Sequence, residues 1–187
     1  MSDSDLVLRV QAGRDRDAFG ELVRRHHAPL QAFLWRLIGN GAQAEDLAQD
    51  VFIRCHDKIA GFQGASAFRT WLFAIAYREF LRWRRRSLLH GKLLRYLSER
   101  VESPGFVPPD DALDLQNALN TLSVAERGAL LLCDACGMSH DEAAEALAVP
   151  LGSLKTYVRR AREKMRHAMN GTADFEQGRL VSCRTTQ

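Results

Sequence analysis

The sequence predicts an all-α protein made of two small helical domains joined by a flexible linker, the second a helix-turn-helix domain. Three observations carry this. Apolar residues recur at helical spacing, and no stretch alternates with the period of two that a strand needs. Glu102 to Asp111 holds Ser103-Pro104-Gly105 and Pro108-Pro109, a linker composition that divides the chain. Residues 139–166 read as two helices around a tight turn. The expected boundaries are 1–97 and 113–170 for the domains, 98–112 for the linker and 171–187 for a flexible tail.

The helix-turn-helix is the most informative stretch. Ser139 with Glu142 three residues on is a capping box, which starts a helix. Ala143, Ala144 and Leu147 give that helix a small apolar face. Pro150 cannot continue it but fits near the start of the next. Leu151, Leu154, Val158, Ala161 and Met165 then form one apolar stripe. Ser153, Lys155, Thr156, Tyr157, Arg159 and Arg160 lie off that stripe. From Leu151 to Met169 six residues are Lys or Arg and one, Glu163, is acidic. A solvated helix face normally mixes signs, so this one-sided charge points to DNA, with the second helix in a major groove.

The remaining elements follow in order. Asp5 to Ala12 can form a short helix stopped by Gly13. From Ala18 to Ile38, residues Phe19, Leu22, Val23, His26, Leu30, Phe33, Leu34 and Leu37 share a face, with Pro29 a possible bend. His26 and His27 are adjacent and point apart, so they read as structural or solvated rather than as a metal pair. Gly39-Asn40-Gly41 is a turn. A helix starting near Ala44 buries Ala44, Leu47, Ala48, Val51, Cys55 and Ile59. Asp46, Gln49, Asp50, Ile53 and Asp57 occupy another, mostly acidic face. A Gly-rich loop, Gly61 to Ser66, leads into a segment with six arginines and one glutamate between Arg69 and Arg86. Trp71, Phe73, Tyr77, Phe80 and Trp83 are interleaved among them. Arginines with flat rings beside a loop suit single-stranded nucleic acid, the guanidiniums on phosphate and the rings on bases, about 1–3 kcal/mol per stacked base. Leu72, Ala76, Phe80 and Trp83 are expected in the core. Trp71, Ile75, Arg78 and Arg82 are expected on another face. Leu113–Leu122 and Ala125–Cys136 read as helices, and the chain after Asn170 as a loose tail.

Composition bounds the function. With 187 residues, 46% hydrophobic and 26% charged, and a net charge of +3, the chain is an ordinary globular one whose charge is clustered rather than large. No run approaches the roughly 18 apolar residues of a membrane span and no signal peptide opens the chain, so no membrane insertion and a cytoplasmic location are expected. Cys55, Cys133, Cys136 and Cys183 are then expected to be reduced, with Cys55 a small buried hydrophobe. No cofactor is called for. Cys133 and Cys136 lie i, i+3, and with His140 spell C-x2-C-x3-H. They could ligate a soft metal, with Cys183 a fourth ligand, or form a disulfide under oxidation. The simpler reading is two small helix residues and a solvated histidine, since no second ligand pair is present. No phosphate-cradling loop, nucleophile–base set or paired carboxylates stand out, so an enzyme is not expected.

Four motifs, in this order, resemble those of the extracytoplasmic-function sigma factors, small alternative sigma subunits of bacterial RNA polymerase. They are DRDAFGELVRRHHAPLQAFLWRLIG, AEDLAQDVFIRC, FQGASAFRTWLFAIAYREFLRWRRR, and LNTLSVAERGALLL followed by GMSHDEAAEALAVPLGSLKTYVRRAREKMR. The resemblance covers about residues 5–169. It implies a protein that binds core RNA polymerase through the β′ clamp helices and the β flap. Such a protein directs promoter-specific initiation on duplex and single-stranded promoter DNA, under an anti-sigma factor. Asp46, Gln49, Asp50 and Ile53 would meet the clamp helices. Phe62, Phe68, Arg69, Trp71, Arg78, Arg82, Arg84 and Arg85 would handle the −10 element, with 62–68 trapping a flipped base. Ser153, Lys155, Thr156, Tyr157, Arg159 and Arg160 would face the −35 element. The chain departs from the family at Tyr77-Arg78-Glu79-Phe80-Leu81, where an Asn-Leu-x-x-Asp-type stretch is usual, and in its thiols at 133 and 136. Two alternatives stand beside this reading: a helix-turn-helix regulator acting without polymerase, for which the acidic helix and Arg-aromatic segment are superfluous, and a thiol or metal sensor.

Overall fold

A computed structural model describes the backbone of residues 1–13, 15–97 and 110–182, and side chains at 1–13, 15–89 and 115–169. The elements are α1 (Asp3–Gly13), α2 (Arg16–Ile38), α3 (Gly41–Lys58), α4 (Phe68–Leu97), α5 (Asp110–Asn120), α6 (Val124–Leu130), α7 (His140–Leu147) and α8 (Leu151–Ser182). A 3-10 turn, Ile59–Gly61, follows α3, and a π turn, Leu131–Ala135, follows α6. The described residues contain no strand.

Helix boundaries follow local chemistry. Asp15 starts α2 by accepting a hydrogen bond from the Ala18 N–H, and Asn40 starts α3 by accepting from the Gln43 N–H. Gly39 ends α2 at φ +80, where its N–H reaches the Trp35 carbonyl at 2.7 Å. Ser123 with Glu126, and Ser139 with Glu142, are full capping boxes at α6 and α7. Ala148, at φ +54, closes α7 in the left-handed region and turns the chain toward α8.

In the first half, α2, α3 and α4 surround a core of Leu22, Leu30, Phe33, Leu34, Val51, Leu72 and Phe73. The predicted core face of α3 is buried throughout. On α2, Phe19 and Val23 are only partly buried, and Ala18 takes a core place. α1 is tied across α2 by a 2.7 Å contact between the His26 ring and Asp3, so His26 is a structural histidine. The Gln11 amide donates to the Ile59 and Phe62 carbonyls, both at 2.8 Å, and so fixes the root of the loop before α4.

In the second half, Leu154, Val158 and Ala161 of α8 are buried, with Leu151 and Met165 partly so, as the stripe predicts. The Arg162 guanidinium pairs with both Asp134 oxygens at 2.6 and 3.0 Å, and Lys164 meets Glu126 at 2.7 Å. Two of the six Lys and Arg residues between Leu151 and Met169 are therefore committed to the fold.

Three sequence expectations are corrected. α5 starts at Asp110, inside the expected linker, while α4 runs on through 87–97. Residues 98–109 of that linker lie outside the described residues. The chain stays helical past Asn170 to Ser182, where a loose tail was expected, because nothing between 151 and 182 includes a proline to stop it. Ile75, placed on an outer face with Trp71 and Arg78, is 2% exposed. It is buried because α4 is covered on a second side, by α7.

That second contact joins the halves. The Thr70 hydroxyl, 1% exposed, donates to Glu142 at 3.4 Å. The Gln116 amide donates to the Arg36 carbonyl at 3.3 Å and the Arg127 guanidinium to the Leu37 carbonyl at 3.1 Å. Side chains of α5 and α6 thus satisfy carbonyls in the last turn of α2, which have no partner within their own helix. Gly128 allows the close approach: a Cβ there would stand 2.9 Å from the Tyr77 ring and 3.3 Å from Leu147.

Two outcomes follow. Gly128→Ala should destabilise the protein by about 1–3 kcal/mol despite alanine's better helix propensity, because the added methyl overpacks the seam; denaturant unfolding reads this, and a gain in stability would refute the seam. Hydrogen bonds from the Ser139 N–H and hydroxyl hold the Glu142 carboxyl below its ordinary 4.5. The stabilisation is present above that value and lost as pH falls through the depressed one. Ser139→Ala should therefore cost about 1 kcal/mol at neutral pH, and should make the acid limb of a stability–pH profile below about pH 4.5 shallower without abolishing it, since alanine keeps the N–H that bonds Glu142.

Candidate nucleic-acid and polymerase interface

Three surfaces stand out, each placed by a different helix. On α3, Asp46, Gln49, Asp50 and Ile53 are all exposed and spaced i, i+3, i+4, i+7, so they share one face. Ile53 is 61% exposed, an aliphatic side chain left in water between carboxylates. Acidic groups around an exposed apolar anchor make a protein-contact surface for a basic partner. The opposite face of α3 is the core face, so the acidic one cannot turn inward.

On α4 the structure separates what the sequence grouped. Arg78, Arg82, Arg84 and Arg85 are exposed along the helix, while Arg69 is half-buried with its guanidinium 5.7 Å from the Phe73 ring centroid. The rings go mostly inward: Phe73, Tyr77 and Phe80 are buried. Phe68 is 4% exposed, so the expectation that it touches DNA is not met in this arrangement. It packs on His26 at 5.4 Å and on Phe62 and Trp71 at 6.2 and 5.9 Å between ring centroids. Phe62 and Trp71, 5.0 Å apart and half-exposed, are the rings this cluster offers to a base. The loop beside them turns at Gly64 with φ +71, and Gln63, Gly64 and Ala65 are exposed.

Glu79 is the buried acid of this basic helix. Its carboxylate meets Arg82 at 2.8 Å and Arg54 of α3 at 2.9 Å, with 7% of its side chain exposed. The acidic and basic helices are thereby locked in register. The sequence signalled Glu79 only as the one acid among six arginines.

On α8, Lys155, Arg159 and Arg160 are exposed, and Ser153, Thr156 and Tyr157 half-buried. Thr156 donates to the Gly152 carbonyl at 2.9 Å, and Arg159 pairs with Glu163 at 3.0 Å. Burial raises the Tyr77 phenol, and the nearby Tyr157 raises it further.

The thiols do not form a centre. Among the described residues no group of three His, Cys, Asp or Glu side chains is placed to hold a metal ion, so Cys133, Cys136 and His140 are not brought together as a ligand set. Cys183 lies outside the described residues. Burial pushes the Cys55 thiol up to about 12 and Cys136 up to about 11, and raises Cys133 as well. All three stay protonated near neutrality and are poor nucleophiles. No helix among the described residues is long and apolar enough to cross a membrane.

Comparison with known proteins places this geometry. The Sigma-70 region 2 family model matches residues 22–101, and the Sigma-70, region 4 model matches residues 112–165. The chain is 33% identical over 153 residues to the ECF RNA polymerase sigma factor EcfG of Rhodopseudomonas palustris, covering 78% of this chain and 83% of that protein. It is 35% identical over 156 residues to the ECF RNA polymerase sigma factor SigE of Mycolicibacterium smegmatis, covering 80% of this chain but only 60% of that longer protein. Its fold resembles that of the sigma factor RpoE in complex with the anti-sigma factor NepR from Bartonella quintana. That match has a TM-score of 0.70 and 29% identity over 81% of this chain and 96% of the other. Two helical halves that match both sigma-70 regions in order, over most of the chain, make it a member of the ECF RNA polymerase sigma factor family.

Proposed function

We propose that the chain is a promoter-specificity subunit that binds core RNA polymerase, recognises two promoter elements and stabilises strand opening. The observation that carries this is three chemically different exposed surfaces on one chain. They are the acidic, Ile53-centred face of α3, the arginine row of α4 beside the Phe62–Trp71 rings, and the basic recognition face of α8. A regulator working without polymerase has no use for the first.

Each surface takes a role by its chemistry. Asp46, Gln49, Asp50 and Ile53 contact the basic β′ clamp helices. Arg78, Arg82, Arg84 and Arg85 hold the melted strand by its phosphates, and Phe62 and Trp71 take a flipped base. Lys155, Arg159 and Arg160 position α8 on duplex phosphates and bases, with Ser153, Thr156 and Tyr157 at its edge. The second half meets the β flap. The protein performs no covalent chemistry, and it works in the cytoplasm, where the polymerase is. Free of polymerase it is held by an anti-sigma factor, as its Bartonella quintana relative is held by NepR.

The two elements are named for positions about 25 base pairs apart, roughly 85 Å along B-DNA at 3.4 Å per pair. In this structure the helices that would read them belong to halves in contact through α4 and α7. The chain therefore parts its halves when it engages the promoter.

Asp50→Ala should weaken binding to core polymerase at least several-fold and leave binding of the isolated protein to duplex promoter DNA unchanged. Arg160→Ala should do the reverse, costing about 1–3 kcal/mol on duplex recognition. Core-enzyme titration and mobility shifts on −35 duplexes separate the two. Equal loss of both activities in both variants would defeat this division of roles.

A further inference from the structure

A cleft of 430 Å³ opens at the seam between the two halves. This lies within the roughly 300–1,000 Å³ range of small-molecule sites, which are apolar pockets with a few convergent polar groups. α4 contributes Trp83 and Arg84, and the second half contributes Arg127, Ser123 and Asn120. Trp83 is half-buried and stacked on Phe80, with centroids 6.1 Å apart and planes at 24°, so its ring is a rigid wall.

The charges of the cleft are unbalanced. Arg127 uses one terminal nitrogen on the Leu37 carbonyl, while its Nε is buried with no hydrogen-bond partner among the described residues. Arg84 is exposed, and no carboxylate among the described residues lines the cleft. Burial depresses the Arg127 guanidinium, and the like charge of Arg84 depresses it further, so the two cations feel each other. Two like charges in a partly apolar setting cost free energy, which a bound anion recovers through charge-assisted hydrogen bonds.

We propose that this cleft binds a small anion carrying a flat ring, of mononucleotide size, with Arg84 and Arg127 on the anionic group and Trp83 against the ring. The ligand bridges the halves, since Arg84 and Trp83 stand on α4 and Arg127 on α6. It therefore favours the closed arrangement. Inorganic phosphate satisfies the arginines alone and gains nothing from the ring.

The test is calorimetric titration of the full chain with adenosine monophosphate as the probe, and with inorganic phosphate in parallel. The expected result is saturable binding of one nucleotide per chain, at least ten-fold tighter than phosphate. Arg84→Gln and Arg127→Gln should each weaken it at least ten-fold, and Arg166→Gln, an exposed base elsewhere on α8, should leave it unchanged. Arg84 is exposed, so its variant decides the matter if Arg127→Gln fails to fold by circular dichroism. No saturable binding, equal affinity for phosphate and nucleotide, or equal weakening in Arg84→Gln and Arg166→Gln would overturn the site.

Discussion

Burial of α4 on two sides is the constraint on which the rest depends. Leu72, Phe73, Ala76 and Phe80 fill the core against α2 and α3, and Thr70 and Tyr77 are covered from the second half. At about 25 cal/mol per Å² of apolar surface removed from water, rings of this size are the largest single contributions to the core. With those faces occupied, the arginines at 78, 82 and 85, spaced i, i+4, i+7, have only the outer strip of the helix left, while Arg84 turns toward the seam. The alignment of the three in one row follows from what is buried behind them.

The same economy applies to charge. Buried acids are rare in the described core, and each has a counter-charge or a helix end to hold. Glu79 fixes Arg54 and Arg82, and Glu126 caps α6 while meeting Lys164. Glu142, only half-buried, likewise caps α7 and accepts from Thr70. The exposed acids Asp46 and Asp50 are in none of these ion pairs and remain available to a partner.

The halves meet through apolar packing of α4 on α7, a few polar contacts and one glycine. Gln116 and Arg127 cap α2, and Gly128 admits Tyr77. Such a seam is specific in geometry yet leaves unsatisfied atoms, Gln116 Oε1 and Arg127 Nε.

By itself the sequence determined the helices, their caps and the chemistry of the three exposed surfaces, because those depend on residues three or four apart. Ser139 with Glu142, the stripe from Leu151 to Met165, and the acidic strip of Asp46, Gln49, Asp50 and Ile53 are all local patterns. The tertiary structure decided what α4 does with its rings, which bases of α8 belong to the fold, and how the halves meet. Phe68 turned inward onto His26 of α2, and Tyr77 because α6, far along the chain, lies against α4. Arg162 and Lys164 were claimed by Asp134 and Glu126, 28 and 38 residues away. No periodicity records such pairings, since a helix face reads the same whether water or another helix will cover it.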